Sequence, residues 1–166
     1  MRYCTGHVCD PSGRPIVGAA IRLLVAGTSG PTALQRHWSD EFGWFELHTH
    51  ARGLLELEVS ASGYTTRRLV VDGSEDWLVL TPLAAIDGKV LGPRGWPLAS
   101  VEVLAVDLDD PECKCSTWSR WDGSFRLRVP RGRRFRIEGS TNAGKRIAAV
   151  SSIAGGGPQI ELRIVP

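Results

Sequence analysis

The chain has 166 residues, of which 20 are basic and 18 acidic, so its net charge of +2 indicates no particular class of partner. It contains no run of 18 apolar residues, which excludes a membrane-spanning helix. Residues 1–10 lack the apolar segment of a signal peptide. We therefore expect a cytoplasmic protein, a protein exported without a cleaved signal, or a piece of a longer exported protein.

Short stretches of alternating apolar and polar residues, separated by turn signals, predict β-strands along the whole chain. In the first strand Val8 is expected to point inward, whereas Thr5, His7 and Cys9 point outward. The predicted strands of the first half are 3–9, 17–26, 34–40, one carrying Phe45 and Leu47, 54–60, 65–71 and 77–81. Those of the second half are 88–90, 100–108, 115–120, 124–129, 133–139, 145–150 and 159–165.

A ten-residue stretch occurs twice, at 38–47 and 118–127, with five identical positions. Each copy predicts a hairpin with a glycine turn, a buried phenylalanine (Phe45 or Phe125) and a structural tryptophan (Trp38 or Trp118). A repeat this long indicates two similar domains, 1–82 and 83–166, which we predict to be seven-stranded antiparallel β-sandwiches. Their charges differ, since residues 1–83 carry net −2 and residues 84–166 net +4.

Both halves share spaced motifs: Gly-x-Val followed by Gly-x-Pro at 6–15 and 88–97, and the later Gly-x-Phe-x-Leu hairpin. The first half adds an Ala-x-Gly-Tyr turn that ends at Tyr64. These motifs resemble carboxypeptidase regulatory-like domains, which are transthyretin-related sandwiches. The resemblance implies a non-catalytic binding, adaptor or spacer module of a larger assembly, with protein contacts and no cofactor. In the second copy Arg120 replaces Asp40 and Lys145 replaces Tyr64, so we expect its hairpin turn to be less regular.

The segment from His7 to Asp10 resembles the opening of the hydroxyisourate hydrolases, transthyretin-fold enzymes with a catalytic histidine at that place. Those enzymes share a late His-x-Pro segment and a C-terminal Tyr-Arg-Gly-Ser, and this chain has neither. The second copy has Lys89 in place of His7. A hydrolase is therefore the least favoured function.

Three tryptophans, Trp44, Trp96 and Trp121, have no tryptophan counterpart in the other copy, and two of them lie in or beside turns. They are candidates for an exposed binding surface. Exposed aromatic side chains suit a protein contact or the stacking of a sugar ring, so a carbohydrate-binding module is the alternative function.

The densest charge run contains Arg131, Arg133, Arg134 and Arg136. Arg134 and Arg136 are predicted to share one face of a strand, with Phe135 on the other. The run could bind phosphate or an acidic protein, but no stacking aromatics interleave with it, which argues against nucleic acid. A solvated hairpin is the simpler interpretation.

Two short patterns are weak metal candidates. His48 and His50 would lie on one strand face, about 7 Å apart, but they need a third ligand. Cys113 and Cys115 lack the Cys-x-x-Cys spacing of common zinc sites. We therefore assign no metal, and we expect all four cysteines to be free thiols.

An apolar stripe is predicted on the second domain, because Leu104, Val106 and Leu108 alternate with inward residues of one strand. Such a stripe predicts an interface. The linker at 81–85 is short and apolar, so the first domain is the expected cover, with a separate partner or a second copy of the chain as alternatives.

Overall fold

The computed structural model describes residues 2–25, 31–71, 75–141 and 146–163. The chain divides into two compact units, Met1–Pro82 (unit 1) and Leu83–Pro166 (unit 2). The described elements are all β-strands, which confirms the predicted fold class. None of the described residues forms a helix long and apolar enough to cross a membrane.

Unit 1 consists of two sheets with the strand orders β4-β1-β7 and β3-β2-β5-β6. Its strands are β1 (Arg2–Cys9), β2 (Ala20–Val25), β3 (Thr32–Trp38), β4 (Trp44–Thr49), β5 (Leu55–Ser60), β6 (Arg67–Val70) and β7 (Glu75–Val79).

Unit 2 repeats this arrangement with the orders β11-β8-β14 and β10-β9-β12-β13. Its strands are β8 (Leu83–Leu91), β9 (Glu102–Asp107), β10 (Lys114–Trp118), β11 (Ser124–Pro130), β12 (Arg134–Ser140), β13 (Arg146–Ala154) and β14 (Ile160–Arg163).

The sheets are not wholly antiparallel, and in this detail the prediction is wrong. The first and last strands of each unit, β1 with β7 and β8 with β14, pair in parallel. A hairpin cannot join parallel neighbours. The chain instead leaves the first strand, builds the rest of the sandwich and returns beside it.

Each unit has one apolar core between its two sheets. The core is built from the side chains that point inward at alternate positions along the strands. Phe45 and Phe125 are 2% and 3% exposed, so their predicted burial is confirmed. Cys9 was expected to point outward but is buried. The chain after β1 folds back over it, since Cys9 forms an isolated bridge with Pro15.

The hairpin turn of each repeat presses against the first strand of its unit. The backbone N–H of Val8 donates to the Gly43 carbonyl at 2.8 Å, and that of Val90 donates to the Gly123 carbonyl at 2.9 Å. Both glycines have positive φ, +75° and +74°. A Cβ on either would overlap the facing carbonyl oxygen of Val8 or Val90, so only glycine allows this approach.

The turn of the second copy is as regular as that of the first, contrary to the expectation from Arg120. The Gly123 N–H donates to the Arg120 carbonyl at 2.9 Å, and the Gly43 N–H donates to the Asp40 carbonyl at 3.0 Å. Backbone hydrogen bonds common to both turns shape them. The carboxylate that accepts a turn N–H comes from Asp40 in the first turn and from Asp122 in the second, so arginine is tolerated at position 120.

A buried serine in each repeat ties the hairpin to the connection between the first two strands. The Ser39 hydroxyl donates to the Ile16 carbonyl at 2.6 Å and accepts the Ala19 N–H at 2.9 Å. The Ser119 hydroxyl makes the same bonds to the Leu98 carbonyl and the Val101 N–H, at 2.8 and 3.0 Å. The hydroxyl satisfies backbone groups that the sheets leave unpaired.

Replacing Gly123 by alanine should therefore destabilise unit 2 more than replacing Gly95. Both glycines have positive φ, but a Cβ at Gly95 meets nothing within 4 Å. Gly95→Ala should cost about 1–2 kcal/mol for the left-handed backbone alone. Gly123→Ala should cost this amount plus the overlap with Val90. Urea denaturation followed by circular dichroism measures both, and equal losses would contradict the tight approach of the turn.

Candidate binding surfaces

Aromatic side chains gather on the outward face of the sheet β4-β1-β7. His7 pairs with Trp44 on one side and Trp77 on the other. The ring centroids of His7 and Trp77 lie 4.7 Å apart at an interplanar angle of 17°, and those of His7 and Trp44 lie 4.8 Å apart at 61°. Trp77 is nevertheless 62% exposed. Because His7 covers one face of its indole, the opposite face meets solvent.

A second aromatic pair extends this surface along the strands. The ring centroids of Tyr3 and His48 lie 4.8 Å apart in an edge-on arrangement, and Tyr3 is exposed. The Nε2 atom of His48 lies 2.9 Å from the Oε1 atom of Glu46. The surface thus combines rings with hydrogen-bonding groups. We call Tyr3, His7, Trp44, His48 and Trp77 the aromatic face.

The equivalent positions of unit 2 hold no aromatic residue. Aligning Gly88 with Gly6 places Lys89 at the position of His7, where it pairs with Ser124 and Glu161. The same sheet therefore forms without aromatic residues on its outward side. The fold does not require the aromatic face of unit 1, which makes that face a candidate for binding.

The other predicted tryptophans lie in turns of unit 2. Trp96, between β8 and β9, is 73% exposed, and Trp121, between β10 and β11, is 88% exposed. Trp44 is half-buried within the aromatic face. A role for the three in binding stays a prediction.

Trp38 and Trp118 are exposed, although their matching positions predicted a structural role. Both lie on edge strands, β3 and β10, and the serine that follows each makes the buried hydrogen bonds instead. Sequence analysis overlooked Trp77. Strand alternation could have identified it. Leu78 points inward and is buried, which places the adjacent Trp77 on the outward side of the strand.

Two of the four arginines in the charge run form ion pairs with described residues. The Nη1 atom of Arg133 lies 2.8 Å from Asp107 Oδ2, and the Nε atom of Arg136 lies 2.6 Å from Glu138 Oε1. Arg131 and Arg134 are exposed and form no ion pair within the described part of the chain. Phe135 is buried on the opposite face, where alternation placed it.

Asp107 is the anchor of the neighbouring loop, because its carboxylate is fully buried. Burial alone would raise its pKa. The hydrogen bond from Arg133 and those from the backbone N–H groups of Asp109 and Asp110 outweigh burial and leave the pKa lowered. The buried carboxylate is thus ionised at neutral pH and holds the loop in place.

Cys113 and Cys115, the weak metal candidates, follow this loop in the chain. Burial raises the pKa of both Cys113 and Cys115 above the ordinary thiol value. No group of three or more His, Cys, Asp and Glu side chains among the described residues could hold a metal ion. His48 contacts Glu46, whereas His50 is exposed.

The expected apolar stripe on β9 is not uniformly exposed. Val106 is buried and Leu104 half-buried, while Leu108 is 41% exposed and lies beyond the strand end. Arg136 and Glu138, which form an ion pair, lie opposite Val106 and Leu104 on β12. Leu108 is the most exposed of the three apolar residues, and an interface at this stripe stays a prediction.

No family model and no curated protein matches this chain. The resemblance to carboxypeptidase regulatory-like domains therefore stays a prediction. Among solved structures, the minor pilin GBS52 of Streptococcus agalactiae is similar at 13% identity, with a TM-score of 0.44 over 100% of this chain and 97% of that one. The shaft pilin spaA of Lactobacillus rhamnosus GG is similar at 9% identity, with a TM-score of 0.42 over 98% of this chain and 96% of that one. At these values the similarity carries no functional argument.

The stability of unit 2 should depend on pH through Asp107. Because its folded pKa lies below the ordinary 3.8, the carboxylate stabilises the fold above that value and loses this effect as the pH falls further. Asp107→Asn should lower the free energy of unfolding at neutral pH by about 1–3 kcal/mol. Urea denaturation across acid pH should show the difference from wild type shrinking below pH 3.8.

The matched control is Asp109→Asn, which changes an exposed carboxylate in the same loop and should leave stability nearly unchanged. A difference between wild type and Asp107→Asn that stays constant across the acid range would contradict the assignment.

Proposed function

We propose that the chain is a non-catalytic binding module of a larger assembly, and that the aromatic face of unit 1 contacts a protein partner. The observation that carries the proposal is Trp77, which is stacked on His7 and still 62% exposed. A large apolar ring is kept in contact with water at a position where unit 2 has Glu161.

The composition of the aromatic face supports a protein partner. Tryptophan and tyrosine supply most of the energetic anchors of protein interfaces, because they bury much apolar area with few rotatable bonds. The stacking of Trp77 on His7 fixes its rotamer before binding, so less conformational entropy is lost. Glu46 and His48 add polar groups beside the rings, as at the rim of an interface.

His7 itself supports binding over catalysis. Its ring lies between the indoles of Trp44 and Trp77. These rings present apolar surface, which stabilises a bound partner and transfers no proton.

Carbohydrate is the second candidate partner, favoured by the open face of the Trp77 indole. A sugar ring can stack on one exposed aromatic face. The exposed Trp96 and Trp121 are further candidates for such contacts.

Replacing Trp77 by serine should strongly weaken partner binding without unfolding the chain, because its side chain lies outside the core. Loss of a tryptophan anchor costs about 2 kcal/mol or more, which is about thirtyfold in affinity. Immobilised wild-type chain and variant are compared for the proteins that they retain from extract of the native cell. Glu161→Ser, at the equivalent position of unit 2, is the control and should retain them all.

Proteins retained equally by wild type and Trp77→Ser would contradict the proposal. Sedimentation with insoluble cell-wall polysaccharide tests the second candidate. Cosedimentation of wild type that Trp77→Ser loses, together with no retained protein, would assign the aromatic face to carbohydrate.

A further inference from the structure

Unit 2 has a cavity of about 500 Å³ where β8 and β11 meet the connection between β13 and β14. This volume lies within the range of sites that bind small groups in proteins. Residues of three kinds line it: apolar, charged and amide-bearing. Those that matter below are Asp87, Arg120, Phe125, Arg126 and Gln159.

Gly88 and Phe125 lie at the base of the cavity. Phe125 is 3% exposed and its ring belongs to the core of unit 2, where it packs over Gly88. A Cβ at Gly88 would overlap this ring, so the glycine lets the strand pack closely beneath the cavity. The surface open to a bound group is therefore mainly that of the polar and charged residues.

One wall of the cavity is electrically neutral. Arg126 donates to both carboxylate oxygens of Asp87, at 2.6 Å from Nε and 3.0 Å from Nη2. The hydrogen bond from Arg126 lowers the pKa of Asp87, so the carboxylate is ionised at neutral pH and its charge is balanced.

Arg120 brings a second guanidinium to the cavity, which therefore holds two positive charges and one negative charge. Its side chain is exposed there and forms no direct ion pair within the described part of the chain, but its charge helps to lower the pKa of Asp87. The turn does not use this side chain. In unit 1 the carboxylate of Asp40 accepts the N–H of Trp44 at 2.8 Å, whereas in unit 2 Asp122 takes over by accepting the N–H of Ser124 at 3.0 Å.

We propose that this cavity binds a carboxylate group through the guanidinium of Arg120. A guanidinium presents a planar pair of donors that matches a carboxylate. The two guanidinium groups and the Asp87 carboxylate give the site a net charge of +1, which a monoanion balances and a phosphate dianion exceeds. The exposed amide of Gln159 is a further donor at the cavity.

The first copy of the fold shows how specific these residues are to unit 2. The positions of Arg120 and Arg126 hold Asp40 and Glu46 in unit 1. Both charges are thus reversed on the same backbone framework. The equivalent place in unit 1 would repel a carboxylate, so the site belongs to unit 2 and is independent of the function proposed for the aromatic face.

The test uses the full chain labelled with ¹⁵N, titrated with an alternating Glu-Gly decapeptide, its Gln-Gly counterpart, the α-amide of N-acetylglutamate, which has one carboxylate, and inorganic phosphate. We expect saturable shifts of the Gly157 amide and the Gln159 side-chain amide with the two carboxylate probes. Arg120→Gln should weaken this binding by at least about tenfold. Arg94→Gln removes the same charge from an exposed turn that does not line the cavity and should bind as wild type.

Tighter binding of the Glu-Gly peptide than of the N-acetylglutamate α-amide would assign the carboxylate to a protein partner, and equal or weaker binding of the peptide would assign it to a small molecule. Either result supports the site. Four results would overturn it: no saturable shift, equal binding of the Gln-Gly peptide, equal weakening by Arg94→Gln, or phosphate binding more tightly than both carboxylates. The amide spectrum of Arg120→Gln verifies that the variant is folded.

Discussion

The close approach of a glycine turn to the first strand of each unit is the constraint on which the sandwich depends. Gly43 and Gly123 bring their hairpins against the carbonyl oxygens of Val8 and Val90, at a distance that no side chain permits. This contact fixes the register between the first strand and the hairpin strand that carries the buried phenylalanine. The two sheets can then close over one core, because their inward residues meet in a set order.

The inward positions of the two units are fixed by packing, whereas their outward positions are not. The outward side chains of the two units therefore differ in chemistry. On the sheet β4-β1-β7 unit 1 displays an aromatic face, while the equivalent sheet of unit 2 displays charged residues. Asp40 in one unit becomes Arg120 in the other without disturbing the turn, since the backbone hydrogen bonds are the same and Asp122 supplies the carboxylate acceptor in the second unit. A duplicated frame thus carries two chemically distinct surfaces, each proposed to bind a different kind of group.

The sequence by itself determined the class of fold and most of the strands. The alternation of apolar residues and the glycine turns are local signals, and burial of Phe45 and Phe125 follows directly from them. Exposure of Trp96 and Trp121 followed in the same way from their place in turns. Local patterns predict such features because each depends on residues that are near one another in the chain.

Only the tertiary structure decided which distant residues meet. The parallel pairing of β1 with β7 brings Trp77 beside His7. The local sequence pattern of neither strand predicts this pairing. The cavity of unit 2 likewise joins Arg120 to Gln159 across separate elements. Val106, buried where an exposed stripe was expected, lies opposite Arg136 of a strand distant in sequence. Side-chain alternation fixes the face on which a residue lies, but pairing between strands far apart in sequence fixes its neighbours, and chemistry at a site depends on the neighbours.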